Sequence, residues 1–132
     1  MTDLARPLRS VLYIPASKAR ALEKARSLAA DAIIFDLEDA VAPDEKTAAR
    51  DLLGQTLAEG GYGRRMRIVR INGLDTEWGR ADAEAARDMD CDAVLVPKVD
   101  GPAAVAAVKH ARMQSKPESS NAGVLLFIST PP

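Results

Sequence analysis

Five short apolar runs alternate with segments of helical periodicity along this 132-residue chain, and this alternation restricts its fold more than any other feature. The apolar runs, which have the length and composition of buried strands, cover residues 11–14, 32–35, 66–71, 93–96 and 124–128. The helical stretches cover residues 17–30, 43–59, 76–89 and 102–113. Strict alternation of strands and helices predicts an α/β fold with a parallel sheet. The pattern alone leaves open an open five-stranded sheet or part of a (β/α)8 barrel.

The second apolar run ends in three carboxylates, Asp36, Glu38 and Asp39, and a helix start at Pro43 follows. Acids at the tip of a buried strand are costly unless a cation, a metal or a proton compensates them. Because hard cations bind carboxylate oxygens, these acids could position a divalent metal or its waters. The alternative is a solvated loop whose acids favour the start of the helix. We favour a functional role for Glu38 and Asp39.

The third apolar run carries Arg70 at its end. A guanidinium in that position can bind a carboxylate through two parallel hydrogen bonds, which a lysine cannot do. A substrate role is therefore one interpretation, and a structural ion pair with Glu38 or Asp39 on the neighbouring strand is the other. Both can hold, because acids can orient an arginine that also binds substrate.

Alternation of side chains along a strand places polar residues at the end of one face in three successive runs. The three sets are Ile34, Asp36 and Glu38; Ile68, Arg70 and Asn72; and Val94, Val96 and Lys98. Convergence of polar strand ends is typical of the top of a (β/α)8 barrel. We therefore expect the first four strands to lie in chain order, with Glu38, Asp39 and Arg70 at the same edge of the sheet.

Lys18 and Arg20 fall in the first turns of a helix that begins near Ser17. Cations at a helix N-terminus oppose the helix dipole. Their placement is understandable if a phosphate group binds there, because the free backbone N–H groups already favour anions. A solvated basic face is the alternative.

Charge, hydropathy and cysteine content exclude several classes of protein. The net charge of −1 provides no electrostatic surface for nucleic acid or membranes, and no apolar run approaches the length of a membrane span. The chain opens without a visible signal peptide. Its only cysteine, Cys91, permits no internal disulfide and favours a reducing compartment. We expect one cytoplasmic domain over residues 1–132.

Four motifs occur in order between residues 9 and 100: RSVLYIP at 9–15, FDLEDAVAPDEK at 35–46, VRING at 69–73 with Asp75 and Thr76 after it, and LVPKV at 95–99. Through these motifs the chain resembles the citrate lyase β-subunit family of the aldolase/citrate lyase group, which includes malyl-CoA and citramalyl-CoA lyases. The resemblance implies a (β/α)8 barrel, of which this chain holds about five of the eight strands. It implies a carbon–carbon lyase that uses Mg2+ and acts on a 3-hydroxyacyl-CoA thioester such as citryl-CoA or malyl-CoA.

The resemblance also implies roles for particular residues. The arginine matching Arg70 binds the carboxylate of the keto acid. The acids matching Glu38 and Asp39 are catalytic residues that support the water shell of the metal and the substrate. Lys18 and Arg20 lie where the family meets the phosphates of coenzyme A.

The sequence departs from the family at the metal ligands. Ser129 stands where the family has a metal-ligating glutamate in a Glu-Thr-Pro motif, and Asp100 stands where it usually has glutamate. The family's second metal-ligating carboxylate, an aspartate, falls after Pro132. A serine hydroxyl is a poor ligand for Mg2+, so we expect weak Mg2+ binding and no measurable lyase activity from this chain alone. The alternative function is a non-catalytic remnant or partner subunit that binds a keto acid or acyl-CoA. Exposed strand edges predict a homo-oligomer or a complementing subunit.

Overall fold

The computed structural model describes residues 10–97 and the backbone of the strand at 124–128. Its five strands are β1 (Val11–Pro15), β2 (Ala32–Asp36), β3 (Met66–Arg70), β4 (Ala93–Pro97) and β5 (Val124–Ile128). All neighbouring strands pair in parallel, and their order in the sheet is their order in the chain. The predicted α/β fold with a parallel sheet is therefore confirmed.

Three helices connect the first four strands: α1 (Ala19–Ala25), α2 (Lys46–Glu59) and α3 (Gly79–Asp88). A single 3-10 turn over Pro43–Glu45 precedes α2, and the ring of Pro43 suits this first turn because its missing N–H is not needed there. The predicted helix over 102–113 lies outside the described residues.

Two helices are shorter than predicted, for local reasons. Helix α1 ends at Ala25 instead of residue 30. Just after Ala25, the Ser27 hydroxyl donates to the carbonyl of Lys24 and closes the last turn. Helix α3 begins at Gly79 instead of residue 76. Thr76 belongs to a turn that precedes the helix, in which its amide and its hydroxyl both donate to the carbonyl of Gly73.

One face of the sheet is covered by all three helices. Its core contains side chains from every helix and from β1 to β4, including Ile14, Leu22, Phe35, Leu53, Val69, Ala83 and Val94. In doubly wound sheets the strand order reverses and helices cover both faces. Sequential strand order with helices on one face is the arrangement of a (β/α)8 barrel, here present in part.

The other face of the sheet carries a second apolar cluster, formed by Ala32, Ile34, Met66, Ile68, Ala93 and Leu95. At the edge strand β1 this face is open, because Val11 is 46% exposed and Tyr13 is 50% exposed. Asp36 and Arg70 continue the same face beyond Ile34 and Ile68, as their parity predicted.

The predicted parity is wrong for Val94 and Val96 of β4 and for Asn72. In β4, Val94 and Val96 belong to the helix-covered core, because the β3–β4 register pairs Arg70 with Leu95 and so turns Leu95 to the face of Arg70. Asn72 lies past the end of β3, and its side-chain amide bonds to Asp82 of α3 on the helix side. Lys98 lies outside the described residues.

Candidate functional site

The centre of the candidate site is an ion pair across the ends of β2 and β3. The register places Asp36 opposite Arg70. Nε of Arg70 donates to Oδ1 of Asp36 at 2.8 Å, and Nη2 donates to Oδ2 at 2.6 Å. Asp36 is 2% exposed, so this two-point pairing compensates for the removal of its charge from water.

Two backbone amides complete the surroundings of the Asp36 carboxylate. The Glu38 amide donates to Oδ1 at 2.8 Å and the Ala40 amide donates to Oδ2 at 3.0 Å. Burial raises the pKa of Asp36, but the hydrogen bond from Arg70 and those from the two amides outweigh it, so the pKa lies below its ordinary value. The hydrogen bond with Asp36 in turn raises the pKa of Arg70. With four donors on its two oxygens, Asp36 is an anchor for Arg70.

Glu38 and Tyr13 flank the guanidinium of Arg70. Oε1 of Glu38 lies 3.5 Å from Nε, and the centroid of the Tyr13 ring lies 5.3 Å from Cζ. The structure therefore confirms that Glu38 and Arg70 meet at one edge of the sheet. Within the described residues no hydrogen bond is made by Nη1. The edge of the guanidinium formed by Nη1 and the second Nη2 proton can accept a ligand carboxylate.

Asp39 does not join this cluster. It is exposed in the loop after β2, and in the described part of the chain it forms no ion pair with Arg70. The structural partner of Arg70 is chiefly Asp36, with Glu38 second, whereas the sequence predicted Glu38 or Asp39. Pairing of the apolar residues Ile34 and Ile68 is the signal that identifies Asp36. Asp36 and Arg70 each follow one of these residues by two positions and therefore lie opposite each other on the same face.

Lys18 and Arg20 lie just beyond the end of β1, at the same edge of the sheet. Lys18 precedes the first residue of α1, Arg20 lies in its first turn, and both are exposed. The amide of Ala16 donates to the carbonyl of Asp36 at 3.0 Å, which ties the start of this connection to the end of β2. Their assignment to coenzyme A phosphates stays a prediction.

Two further side chains, Lys46 and Asn72, fix the loop after β2. Nζ of Lys46 donates to the carbonyl of Glu38 at 2.7 Å and to that of Leu37 at 3.2 Å. Nδ2 of Asn72 donates to the carbonyl of Leu37 at 2.9 Å. Sequence reasoning missed Lys46, because a lysine at the start of a helix is usually solvated and only the fold brings its ammonium back to the end of β2.

The carboxylates described here do not complete a site for Mg2+. Among residues 10–97 no group of three or more acids, histidines or cysteines is placed to hold a metal ion, and the oxygens of Asp36 are already saturated. Mg2+ takes about six oxygen ligands, several of them water, and Glu38 and Asp39 alone do not supply such a set. Ser129 and Asp100 lie outside the described residues.

Within the same ranges of the chain, no helix combines the length and the apolar character needed to cross a membrane.

Comparison with known proteins identifies relatives over most of the chain. The family model described as HpcH/HpaI aldolase/citrate lyase matches residues 9–128. A (3S)-malyl-CoA thioesterase of Cereibacter sphaeroides strain KD131 is 66% identical over 108 residues, covering 82% of this chain and 38% of that protein. An L-malyl-CoA/beta-methylmalyl-CoA lyase of Cereibacter sphaeroides strain ATCC 17029 is 40% identical over 127 residues, covering 87% of this chain and 39% of that protein.

A solved structure shares the fold. The citrate lyase beta subunit of M. tuberculosis, complexed with oxaloacetate and magnesium, matches with a TM-score of 0.62 and 36% identity over 73% of this chain and 41% of that one. The chain thus spans about two fifths of the length of these relatives.

Proposed function

Since the chain belongs to the HpcH/HpaI aldolase/citrate lyase family, we propose that it binds a malyl-CoA-type thioester, with Arg70 on the free carboxylate of the acyl group. Relatives named for malyl-CoA at 66% and 40% identity support this class of substrate. An acyl group of this kind carries a hydroxyl and a carboxylate on one carbon. Arg70 is suited to the carboxylate because a planar guanidinium matches its geometry.

The observation that carries this proposal is the way Asp36 holds Arg70. Asp36 uses Nε and one proton of Nη2, at 2.8 and 2.6 Å, and so fixes the plane of the guanidinium. Among residues 10–97, nothing accepts the three remaining protons of the guanidinium, two on Nη1 and one on Nη2. An arginine that is fixed on one edge and open on the other is organised for a ligand carboxylate, and less side-chain entropy is lost on binding.

Two reactions suit such a substrate. We infer thioester hydrolysis as the first, because the thioesterase relative is the more similar: water adds to the thioester carbonyl, the C–S bond breaks, and malate and free coenzyme A are released. Carbon–carbon cleavage is the second, favoured by the lyase relative and by the expectation from the sequence. There the hydroxyl loses its proton, the bond between C2 and C3 breaks to give glyoxylate and the enolate of acetyl-CoA, and the enolate takes up one proton to form acetyl-CoA.

We also propose the roles that the resemblance to the family implies for four further residues. Glu38 and Asp39 act on the substrate and on the water shell of a metal, and Lys18 and Arg20 contact the phosphates of coenzyme A. The solved relative complexed with oxaloacetate and magnesium supports Mg2+ as cofactor. Because the described residues do not complete its site, the ion needs ligands from elsewhere. A cytoplasmic location and assembly as a homo-oligomer or with a complementing subunit belong to the same proposal. A non-catalytic chain that binds an acyl-CoA or keto acid is the alternative.

Binding of oxaloacetate in the presence of Mg2+, followed by calorimetry, tests the carboxylate site, and Arg70→Lys is the decisive variant. Lysine cannot make the two-point contact, so the dissociation constant should rise about tenfold or more, equivalent to about 1.4 kcal/mol. Arg80→Lys is the matched control, because Arg80 is exposed on α3, and it should leave binding unchanged. Equal binding by wild type and Arg70→Lys would contradict the proposal.

A product assay with malyl-CoA separates the two reactions. Hydrolysis releases a free thiol and malate, whereas cleavage releases acetyl-CoA and glyoxylate without a free thiol. Binding without either product would favour the non-catalytic alternative.

A further inference from the structure

Lys46 occupies a position that helix formation does not explain. It is the first residue of α2, where a cation opposes the helix dipole, and it is 6% exposed. A buried ammonium is costly unless its protons are bonded. Within the described residues no carboxylate forms an ion pair with it.

Both hydrogen bonds that Lys46 makes to described residues go to the loop that carries Glu38. Its Nζ donates to the carbonyls of Glu38 and Leu37 at 2.7 and 3.2 Å, and it lies 5.2 Å from the centroid of the Trp78 ring. A cation over an indole face is attracted to it, more strongly when water is excluded. The indole therefore adds a third favourable contact to those with the two carbonyls.

The same loop is also held by Asp36. The carboxylate of Asp36 accepts the amides of Glu38 and Ala40, while Lys46 binds the carbonyls of Leu37 and Glu38. The peptide groups before and after Glu38 are thus both bonded. Their orientation sets the direction of the Cα–Cβ bond of Glu38, whose carboxylate lies 3.5 Å from Nε of Arg70.

We infer that Lys46 is a positioning residue that keeps the Glu38 carboxylate beside Nε of Arg70 and away from the open Nη1 edge. This inference rests on the proposed carboxylate site. A Glu38 side chain on a loosened loop would be drawn to the open edge of the guanidinium, because that edge holds the protons that no described residue accepts. There it would compete with the carboxylate of the ligand.

A double-mutant cycle with oxaloacetate as the probe, at constant Mg2+, tests the inference. Lys46→Met should raise the dissociation constant about tenfold in the wild-type background. In the Glu38→Gln background the same change should raise it less than twofold, because the competing charge is gone. Lys24→Met, at an exposed lysine of α1, is the control and should have no effect. An equal effect of Lys46→Met in both backgrounds would overturn the inference.

Amide hydrogen exchange provides a measurement that needs no ligand. In Lys46→Met the amides of Glu38 and Ala40 should exchange at least tenfold faster, while those in the middle of α2 keep their protection. Faster exchange confined to α2 would show a purely structural role and would also overturn the inference. If wild type binds no oxaloacetate, the proposed function fails, and exchange at Glu38 and Ala40 still decides the role of Lys46.

If Lys46→Met does not fold, Lys46→Gln takes its place in both experiments. Lys46→Gln keeps a donor but loses the charge and part of the reach, so a smaller effect in the same direction is expected in both experiments. Its cycle with Glu38→Gln replaces that of Lys46→Met, with the same criterion for rejection.

Discussion

The carboxylate of Asp36 is the most heavily bonded charge in the candidate site, and its removal has a predictable effect on stability. Asp36→Asn leaves Arg70 without its main partner in a mostly buried position, so the free energy of unfolding should fall by about 3 kcal/mol near pH 7. Asp39→Asn, at an exposed acid of the same loop, should change it by less than about 0.5 kcal/mol. Urea unfolding of the two variants and wild type measures both values.

The pH dependence of this effect follows from the lowered pKa of Asp36. Its contribution is fully present above the pKa of an unfolded aspartate, about 3.9, and is lost as the pH falls through the lower folded value. The difference in unfolding free energy between wild type and Asp36→Asn should therefore stay constant from pH 7 to about pH 5. It should shrink below about pH 4. A difference that is independent of pH down to pH 2 would contradict the assignment.

At the scale of single residues, the sequence predicted Arg70 and Glu38 at one edge but not the partner that holds them. Acids two and three positions apart on a strand end are all plausible partners from sequence, and only the β2–β3 register selects Asp36. Lys46 was missed for a similar reason. A lysine at the start of a helix is usually solvated, and the return of its side chain to β2 depends on tertiary packing.

At the scale of secondary structure elements, the turn before α3 depends on the absence of a side chain at Gly79. A Cβ atom there would lie 2.0 Å from the carbonyl oxygen of Gly73, which is backbone and cannot rotate away. Gly79→Ala should therefore displace the turn that follows β3. It should lower the free energy of unfolding by about 2 kcal/mol.

Gly54 in α2 provides the matched control for Gly79. Of the described residues, a Cβ atom there would meet the Met89 side chain alone, at 4.0 Å, which is an ordinary contact. Gly54→Ala should raise stability by up to about 1 kcal/mol, because alanine favours a helix. The midpoints of urea unfolding should move in opposite directions for the two variants. A stabilising Gly79→Ala would show that the turn is not required in this form.

The order and direction of the elements were predictable, whereas the face of β4 was not. Strict alternation of apolar runs and helices predicts parallel strands, and the polar residues that end successive runs predict the chain order of a barrel. In β4 every residue is buried, so no alternation of polar and apolar side chains marks its inner face. Its orientation follows from the pairing of Ile68 with Ala93, which a sequence does not show.

At the scale of the whole molecule, the sheet presents an open edge at β1. Within the described residues β1 pairs only with β2, and Val11 and Tyr13 are half exposed beside that edge. Unpaired strand edges with apolar side chains recruit other strands. The partial barrel should therefore associate, either with itself or with a chain that supplies further strands.

Light scattering on the purified chain measures this association, and Val11→Lys tests whether β1 is the surface involved. A charge on the edge strand disfavours strand pairing, so the variant should shift the population towards monomer. Leu28→Lys is the control, because Leu28 is 36% exposed but lies outside the strands. This variant should leave the distribution of monomer and oligomer unchanged.

Val11 is not part of the Arg70 site, so oxaloacetate binding per chain should persist in the monomeric variant. Loss of binding together with loss of association would instead mean that the neighbouring chain completes the site. A wild-type protein that is monomeric would contradict the prediction that the β1 edge drives association.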